Sequence, residues 1–142
     1  MRDVMNNIHP TGIAATGVIT VTDNTAVVSG IVDRQGFDAL AFLIASGTLA
    51  DADATFTVLV EDGDESNLSD AAAVDDAYLN GTEALASFTF AEDASVFKIG
   101  YVGPKRYVRC TVTPASNTGS APLAIIGLLG NPAHAPTDNP PQ

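Results

Sequence analysis

The sequence is poor in the residues that carry most chemistry. Of 142 residues one is cysteine, none is tryptophan, two are histidine and six are lysine or arginine. A lone thiol, Cys110, excludes an intrachain disulfide and with it the small secreted modules held together by bridges. Six cations against 17 acidic residues leave a formal charge of −11, which argues against nucleic acid or an anionic membrane as partner, because phosphate binding needs a Lys/Arg surface. Long apolar runs are also missing. The longest, residues 39–45 and 121–129, are far too short to cross a bilayer. The start, Met1-Arg2-Asp3-Val4-Met5-Asn6-Asn7, has no apolar stretch of the kind a signal peptide needs. The expectation is a soluble protein made in the cytoplasm.

Catalytic sets are equally scarce. His9 and His134 lie near the two ends, in segments with nothing to position an imidazole as a base. There is no G-x-S-x-G sequence, no second cysteine for a metal cluster and no glycine-rich loop opening a helix. Cys110 alternates with Val108 and Val112, which marks it as a small core residue. Asp62-Gly63-Asp64-Glu65-Ser66-Asn67 places oxygen ligands as an EF-hand loop does, but the loop has Asn67 where glycine is required and Ala73 where glutamate is required. That stretch and the pair Asp51 and Asp53 read as solvated turns. No enzyme, cofactor or metal site is expected.

What is present is apolar, 46% of residues, and patterned with period 2. Ala54, Phe56, Val58 and Val60 alternate with Thr55, Thr57 and Glu61. Val108, Cys110 and Val112 alternate with polar neighbours, and Ala86, Phe88 and Phe90 with Ser87 and Thr89. Two-faced strands of this kind belong to antiparallel sheets. Residues 17–22, 26–33, 94–102 and 123–129 read as further strands. The segment 37–45 is apolar at nearly every position and should be a central strand covered on both faces. Turn signals separate these runs: Asp23-Asn24, Arg34-Gln35-Gly36, Asp62-Gly63, Gly103-Pro104 and Asn117-Thr118-Gly119.

About eight short strands at near-regular spacing predict an all-β fold, an antiparallel β-sandwich with a jelly roll as one form of it. The segment 69–81 carries a serine cap, early acidic residues and a closing Asn-Gly, and predicts a short helix within a long loop; the other reading makes Asn80-Gly81 a hairpin turn. Residues 1–12 and the proline-rich 131–142 read as extended arms flanking a sandwich domain over 13–130.

The charges are segregated. Residues 51–93 hold twelve of the acidic side chains and no cation, whereas 98–109 hold four of the six basic ones. Lys98, Lys105, Arg106, Tyr107 and Arg109 are therefore the candidate interface residues. Lys105 to Thr113 also resembles the strand of discoidin-like and other carbohydrate-binding β-sandwiches, with Tyr107 and Arg109 facing outward together.

Four stretches taken as a set are similar to something more particular. They are Arg2 to Pro10, Val32 to Asp38, Gly47 to Phe56 and Lys105 to Pro114. They resemble small virion proteins of tailed bacteriophages and prophages, and most of the chain takes part in the likeness. The resemblance implies a non-enzymatic structural protein on the capsid surface of the virion, most like a head decoration (cement) protein. Its partners would be the major capsid protein or other virion proteins. It would itself be a homo-oligomer, with a trimer preferred. A head–tail connector or tail component, and a carbohydrate-binding module on the virion surface, are the alternatives.

Overall fold

A computed structural model describes residues 3–11 and 19–138. In chain order the strands are β1 (Ile8–Thr11), β2 (Ile19–Val21), β3 (Val27–Val28), β4 (Val32–Asp33), β5 (Phe37–Ser46), β6 (Thr55–Gly63), β7 (Ala72–Ala73) and β8 (Leu79–Asn80). A one-turn helix, α1 (Glu83–Ala86), precedes β9 (Phe88–Thr89), β10 (Val96–Tyr101), β11 (Tyr107–Ala115) and β12 (Ala121–Pro132). Every pairing is antiparallel.

Two six-stranded sheets result. Sheet I has the order β1-β12-β5-β10-β8, with β2 also on β12; sheet II has the order β3-β11-β6-β7, with β4 also on β11 and β9 also on β6. Several short strands share one position: β1 with β2, β3 with β4, and β7 with β9. The two-residue β8 only extends the edge of β10. Eight positions remain, numbered along the chain as 1-8-3-6 in sheet I and 2-7-4-5 in sheet II. That is the double Greek-key connectivity of a jelly roll, and the expected all-β sandwich is the observed architecture.

The core lies between the sheets. Phe42 and Ile44 of β5, Phe56, Val58 and Val60 of β6, Ile99 and Tyr101 of β10, and Val108, Cys110 and Val112 of β11 are all buried. Phe88 stacks on Phe56 at 4.8 Å and on Phe97 at 4.6 Å, so three rings join sheet II to sheet I along one side of the sandwich.

Three local expectations give way to other structure. The segment 69–81 is not an α-helix; its helical part is one 3-10 turn, Asp76–Tyr78, capped by the Asp75 carboxylate accepting from the Ala77 amide. The Asp70 carboxylate, which would have favoured a first helical turn, instead accepts from the Asp64 and Glu65 amides. Ala72 and Ala73 pair with β6, and the Val74 amide donates to the Val60 carbonyl. These backbone groups are taken up by a neighbouring strand, which outweighs the modest helix preference of alanine. The short helix forms later, where Thr82 caps the Leu85 amide and Glu83 occupies the first turn. It replaces the expected strand at its Leu85 end. Leu85 and Phe90 are exposed, while Ala86 and Phe88 are buried as expected. Asn80-Gly81 leads into that helix, with Gly81 at φ +91°, and so is not a hairpin turn.

The predicted strand over 26–33 divides at Ser29. There the side chain accepts from the Cys110 amide at 2.9 Å while the Ser29 amide donates to the Cys110 carbonyl at 2.8 Å. Residues 8–11, within the segment read as an N-terminal arm, form the edge strand β1. Asn131 and Pro132, at the start of the segment read as a C-terminal tail, complete β12. Beyond them the Thr137 amide donates to the Asn6 carbonyl at 3.0 Å and its hydroxyl to the Ile8 carbonyl at 2.5 Å. Residues 1–2, 12–18 and 139–142 fall outside the described residues.

Candidate functional site

Alternation gives each sheet an inner and an outer face, and the outer faces differ sharply. On sheet II the outward positions are Thr55, Thr57 and Glu61 of β6 and Tyr107, Arg109, Thr111 and Thr113 of β11, with Leu59 among them. Short hydroxyls and paired charges make this an ordinary solvated face.

Four of the five candidate interface residues gather at one end of sheet II, and each is engaged within the chain. Arg106 makes a two-pronged pair with Asp33, Nε to Oδ1 at 2.8 Å and Nη2 to Oδ2 at 2.7 Å, and also donates to Gln35 Oε1 at 2.6 Å. Arg109 Nε donates to Glu61 Oε2 at 2.8 Å, and Lys105 pairs with Asp64. The Tyr107 ring carries the Arg106 guanidinium 5.0 Å from its centroid. A sugar-stacking ring needs a free face; this one is partly covered.

Behind this group, Arg34 lies 4.7 Å from the Tyr101 ring centroid and donates to the Gly103 and Lys105 carbonyls at 2.8 and 2.9 Å. The Tyr101 hydroxyl donates to Asp62 at 2.6 Å and accepts from the Lys105 amide at 3.1 Å. Burial, aided by the adjacent Asp62 carboxylate, pushes this phenol well above its usual range. The loop is seated so tightly that a Cβ on Gly103 would lie 2.5 Å from the Tyr101 hydroxyl.

The acidic stretch serves the fold in a way the sequence reading missed. Asp51 accepts from both the amide and the hydroxyl of Thr118 at 2.7 Å, Asp93 from the Leu49 amide at 2.7 Å, and Glu83 from the Val60 amide at 2.7 Å. These carboxylates replace missing backbone partners in loops and at strand edges. Hydrogen bonds hold Asp51, Glu92 and Asp70 below the usual carboxylate range, and the Arg106 contact does the same for Asp33. The oxygens of Asp62, Asp64 and Asp70 are each turned toward a different partner, Tyr101, Lys105 and the Asp64–Glu65 amides.

Neither histidine sits in a catalytic constellation. His9 packs against Phe37, ring centroids 5.5 Å apart, and His134 is exposed in the C-terminal segment. Cys110 is fully buried, and burial pushes its thiol up to about 12, so it is not a nucleophile at neutral pH.

Sheet I is the unusual one. Its outward positions are Ala39, Ala41, Leu43 and Ala45 on β5, Pro122, Ala124, Ile126 and Leu128 on β12, and Ile8 and Pro10 on β1. Val96 and Gly100 of β10 complete it, and Lys98, the fifth candidate residue, is the one charge among these positions. Lys98 makes no ion pair among the described residues. The expectation that 37–45 would be covered on both faces is therefore half met: β5 is central, but among the described residues only its inner face is covered. Between β1 and the turn before α1 the outer face is concave, a groove of about 730 Å³ floored by Ala39, Ala41, Gly100 and Gly130 and rimmed by Leu85 and Lys98. A second hollow, of about 460 Å³, continues it past Ile8 to Val4 and Met5. Among the described residues the groove is lined by no aromatic ring and no carboxylate, and its polar side chains are Asn80 and Lys98, so it lacks the stacking platform by which proteins commonly hold sugars.

No protein-family model and no curated protein matches the chain. Among solved structures it is similar to the PBSX exported protein XepA, with 12% identity over 92% of this chain and 39% of that one and a TM-score of 0.54. It is also similar to the SPBc2 prophage-derived protein YomS, at 10% identity over 92% and 100% of the chains and a TM-score of 0.49. A third is the CBM22-1 and GH10 portion of Clostridium thermocellum xylanase 10B, solved with xylohexaose, at 10% identity over 92% and 27% with a TM-score of 0.43. The likeness to XepA is one of fold, and the chain spans well under half of XepA's length. Among the described residues no helix is long and apolar enough to cross a membrane.

Proposed function

We propose that this chain is a non-enzymatic structural protein of a tailed-phage virion that decorates the capsid shell, attaching through the outer face of sheet I. The observation that carries the proposal is that face: a run of apolar side chains across four strands with Lys98 as its one charge. A soluble domain rarely leaves so continuous an apolar face open unless another body covers it. The fold shared with the phage-derived XepA supports the setting. The polar sheet II, with its cations tied to Asp33, Glu61 and Asp64, would then face solvent.

Quantitative mass spectrometry of purified particles tests this directly. Copies in fixed ratio to the capsid protein are expected, together with loss of the chain from particles when Leu43→Lys places a charge on the face. A low copy number fixed by a ring would indicate a connector instead. Absence from particles would overturn the proposal.

A further inference from the structure

The outer face of sheet I also carries both halves of a contact with itself. Its side chains fall in rows across neighbouring strands. One row is large, with Leu43 of β5 beside Ile126 of β12 and Lys98 of β10 at its end. Adjacent rows are small on β5 and β10, with Gly100 beside Ala41, and then on β12 with Ala39 beside Gly130, while Leu128, the β12 partner of Ala41, walls the hollow on one side. The side-chain volume missing there is the groove of about 730 Å³. A ridge and a hollow on one face are what a two-fold interface requires, because each copy must present both.

We infer that two copies of this chain pair sheet I to sheet I about a two-fold axis, the Leu43–Ile126 ridge of each seated in the other's Ala39–Ala41–Gly100–Gly130 hollow. The inference rests on the reading of this face as an attachment surface and names a second copy as its occupant while the chain is free of the particle, the pair separating when the face attaches. A ring of three would join two different patches of each copy, whereas the ridge and hollow lie side by side on one apolar face, as a two-fold contact requires.

Area sets the expected strength. Four strands about 4.8 Å apart and residues 39–45 at about 3.4 Å each outline roughly 450 Å² per copy, or about 900 Å² for the pair. Leu85 and Met5, both exposed at the rim, extend the contact toward the roughly 1,200 Å² at which specific interfaces begin. The pair is therefore reversible rather than permanent. Charge acts against it, since each copy carries −11. The strand positions of the face carry no acidic group, and Asp138 stands only at its edge, in the second hollow beside Met5, so salt should screen the repulsion without weakening the apolar contact.

Sedimentation velocity on the full chain, from micromolar to millimolar and in low and half-molar salt, tests the pairing. The expected result is a monomer–dimer equilibrium that tightens with salt. Leu43→Lys on the ridge and Ala41→Phe in the hollow should each weaken it by at least about tenfold, the first by burying an unpaired cation and the second by filling the receiving space. Both side chains point outward, so melting curves should stay close to that of the parent; Ile126→Lys serves as the ridge variant if either fails to fold. Thr57→Lys, on sheet II, should change nothing. A chain that stays monomeric at millimolar concentration, or a dimer that both variants leave intact, overturns the inference. If the chain is monomeric but Leu43→Lys still removes it from particles, the pairing is wrong and the attachment reading stands. If it dimerises yet is absent from particles, the reverse holds.

Discussion

The two sheets are built from the same kind of strand and diverge only on the side turned away from the core. β6 and β11 in sheet II present threonine, paired charge and one tyrosine outward. β5 and β12 in sheet I present alanine, leucine, isoleucine, proline and glycine outward. Inward, both supply close-packed apolar side chains, Phe56 with valines and Cys110 from sheet II against Phe42 with leucines and isoleucines from sheet I. Apolar burial is non-directional, so a strand with two apolar faces gains by covering both. Among the described residues only one face of β5 is covered. The difference separates what the fold needs from what it holds in reserve for another surface.

Adjacent residues of β5 give the largest test of that separation. Phe42 points inward and is 0% exposed, whereas Leu43 points outward and is half-buried. Phe42→Ala should cost about 3–5 kcal/mol in chemical denaturation, the transfer loss plus the cavity left behind. Leu43→Ala should cost the monomer under about 1 kcal/mol. Equal costs would mean that the outer face contributes to folding and is not a reserve.

The next effects come from buried polar groups at the sheet II end. Tyr101→Phe removes the donor to the Asp62 carboxylate and the acceptor for the Lys105 amide. A hydrogen bond to a charged group is worth about 1.5–3 kcal/mol, and a loss in that range is expected from denaturation curves. Cys110→Ser should cost about 1–2 kcal/mol, because a hydroxyl replaces a thiol packed between Val108 and Val112. In the native protein the thiol should not react with a thiol reagent at pH 8 until denaturant unfolds the chain. Rapid native labelling would show that the sandwich opens between β11 and its neighbours.

Much of this was legible because alternation reports burial directly. Val108, Cys110 and Val112, and likewise Phe56, Val58 and Val60, are inward in sequence and in structure. The doubly apolar segment 37–45 was legible as a strand but ambiguous as to its cover, because a sequence cannot say whether the second covering body belongs to the same chain. The error at 69–81 has a different origin. Helix propensity is local, while the groups that captured Ala72, Ala73 and Val74 lie on β6, ten or more residues away. Long-range pairing also hid the fate of the basic cluster. Arg106 meets Asp33 across 73 residues and Arg109 meets Glu61 across 48, so cations that looked free for a partner are neutralised at home. Lys98 was grouped with them by sequence proximity alone. It stands on the opposite sheet, because β10 and β11 belong to different layers.

Acid separates the two faces by sign, although the changes in stability are the smallest expected. Asp33 is held below the usual carboxylate range by Arg106, Asp51 by its hydrogen bonds with Asp53 and then Thr118, and Glu92 by Thr89. A carboxylate whose folded value is depressed contributes stability that is fully present above its unfolded value, about pH 4, and is lost as pH falls through the folded value. Melting temperature should therefore be flat from neutral pH down to about pH 5 and decline below about pH 4. These groups are largely exposed, so each contributes little, and Asp51→Asn should only flatten the acid limb slightly. Self-association through sheet I should move the other way. As pH approaches the sequence pI of about 4.1, the repulsion from −11 charges per copy disappears, while the face itself, carrying no carboxylate, is unchanged. Dimer formation should strengthen from pH 7 to about pH 5, before the loops begin to fail. Association that weakened over that interval would place carboxylates inside the contact and move the interface from sheet I to the charged edge of sheet II.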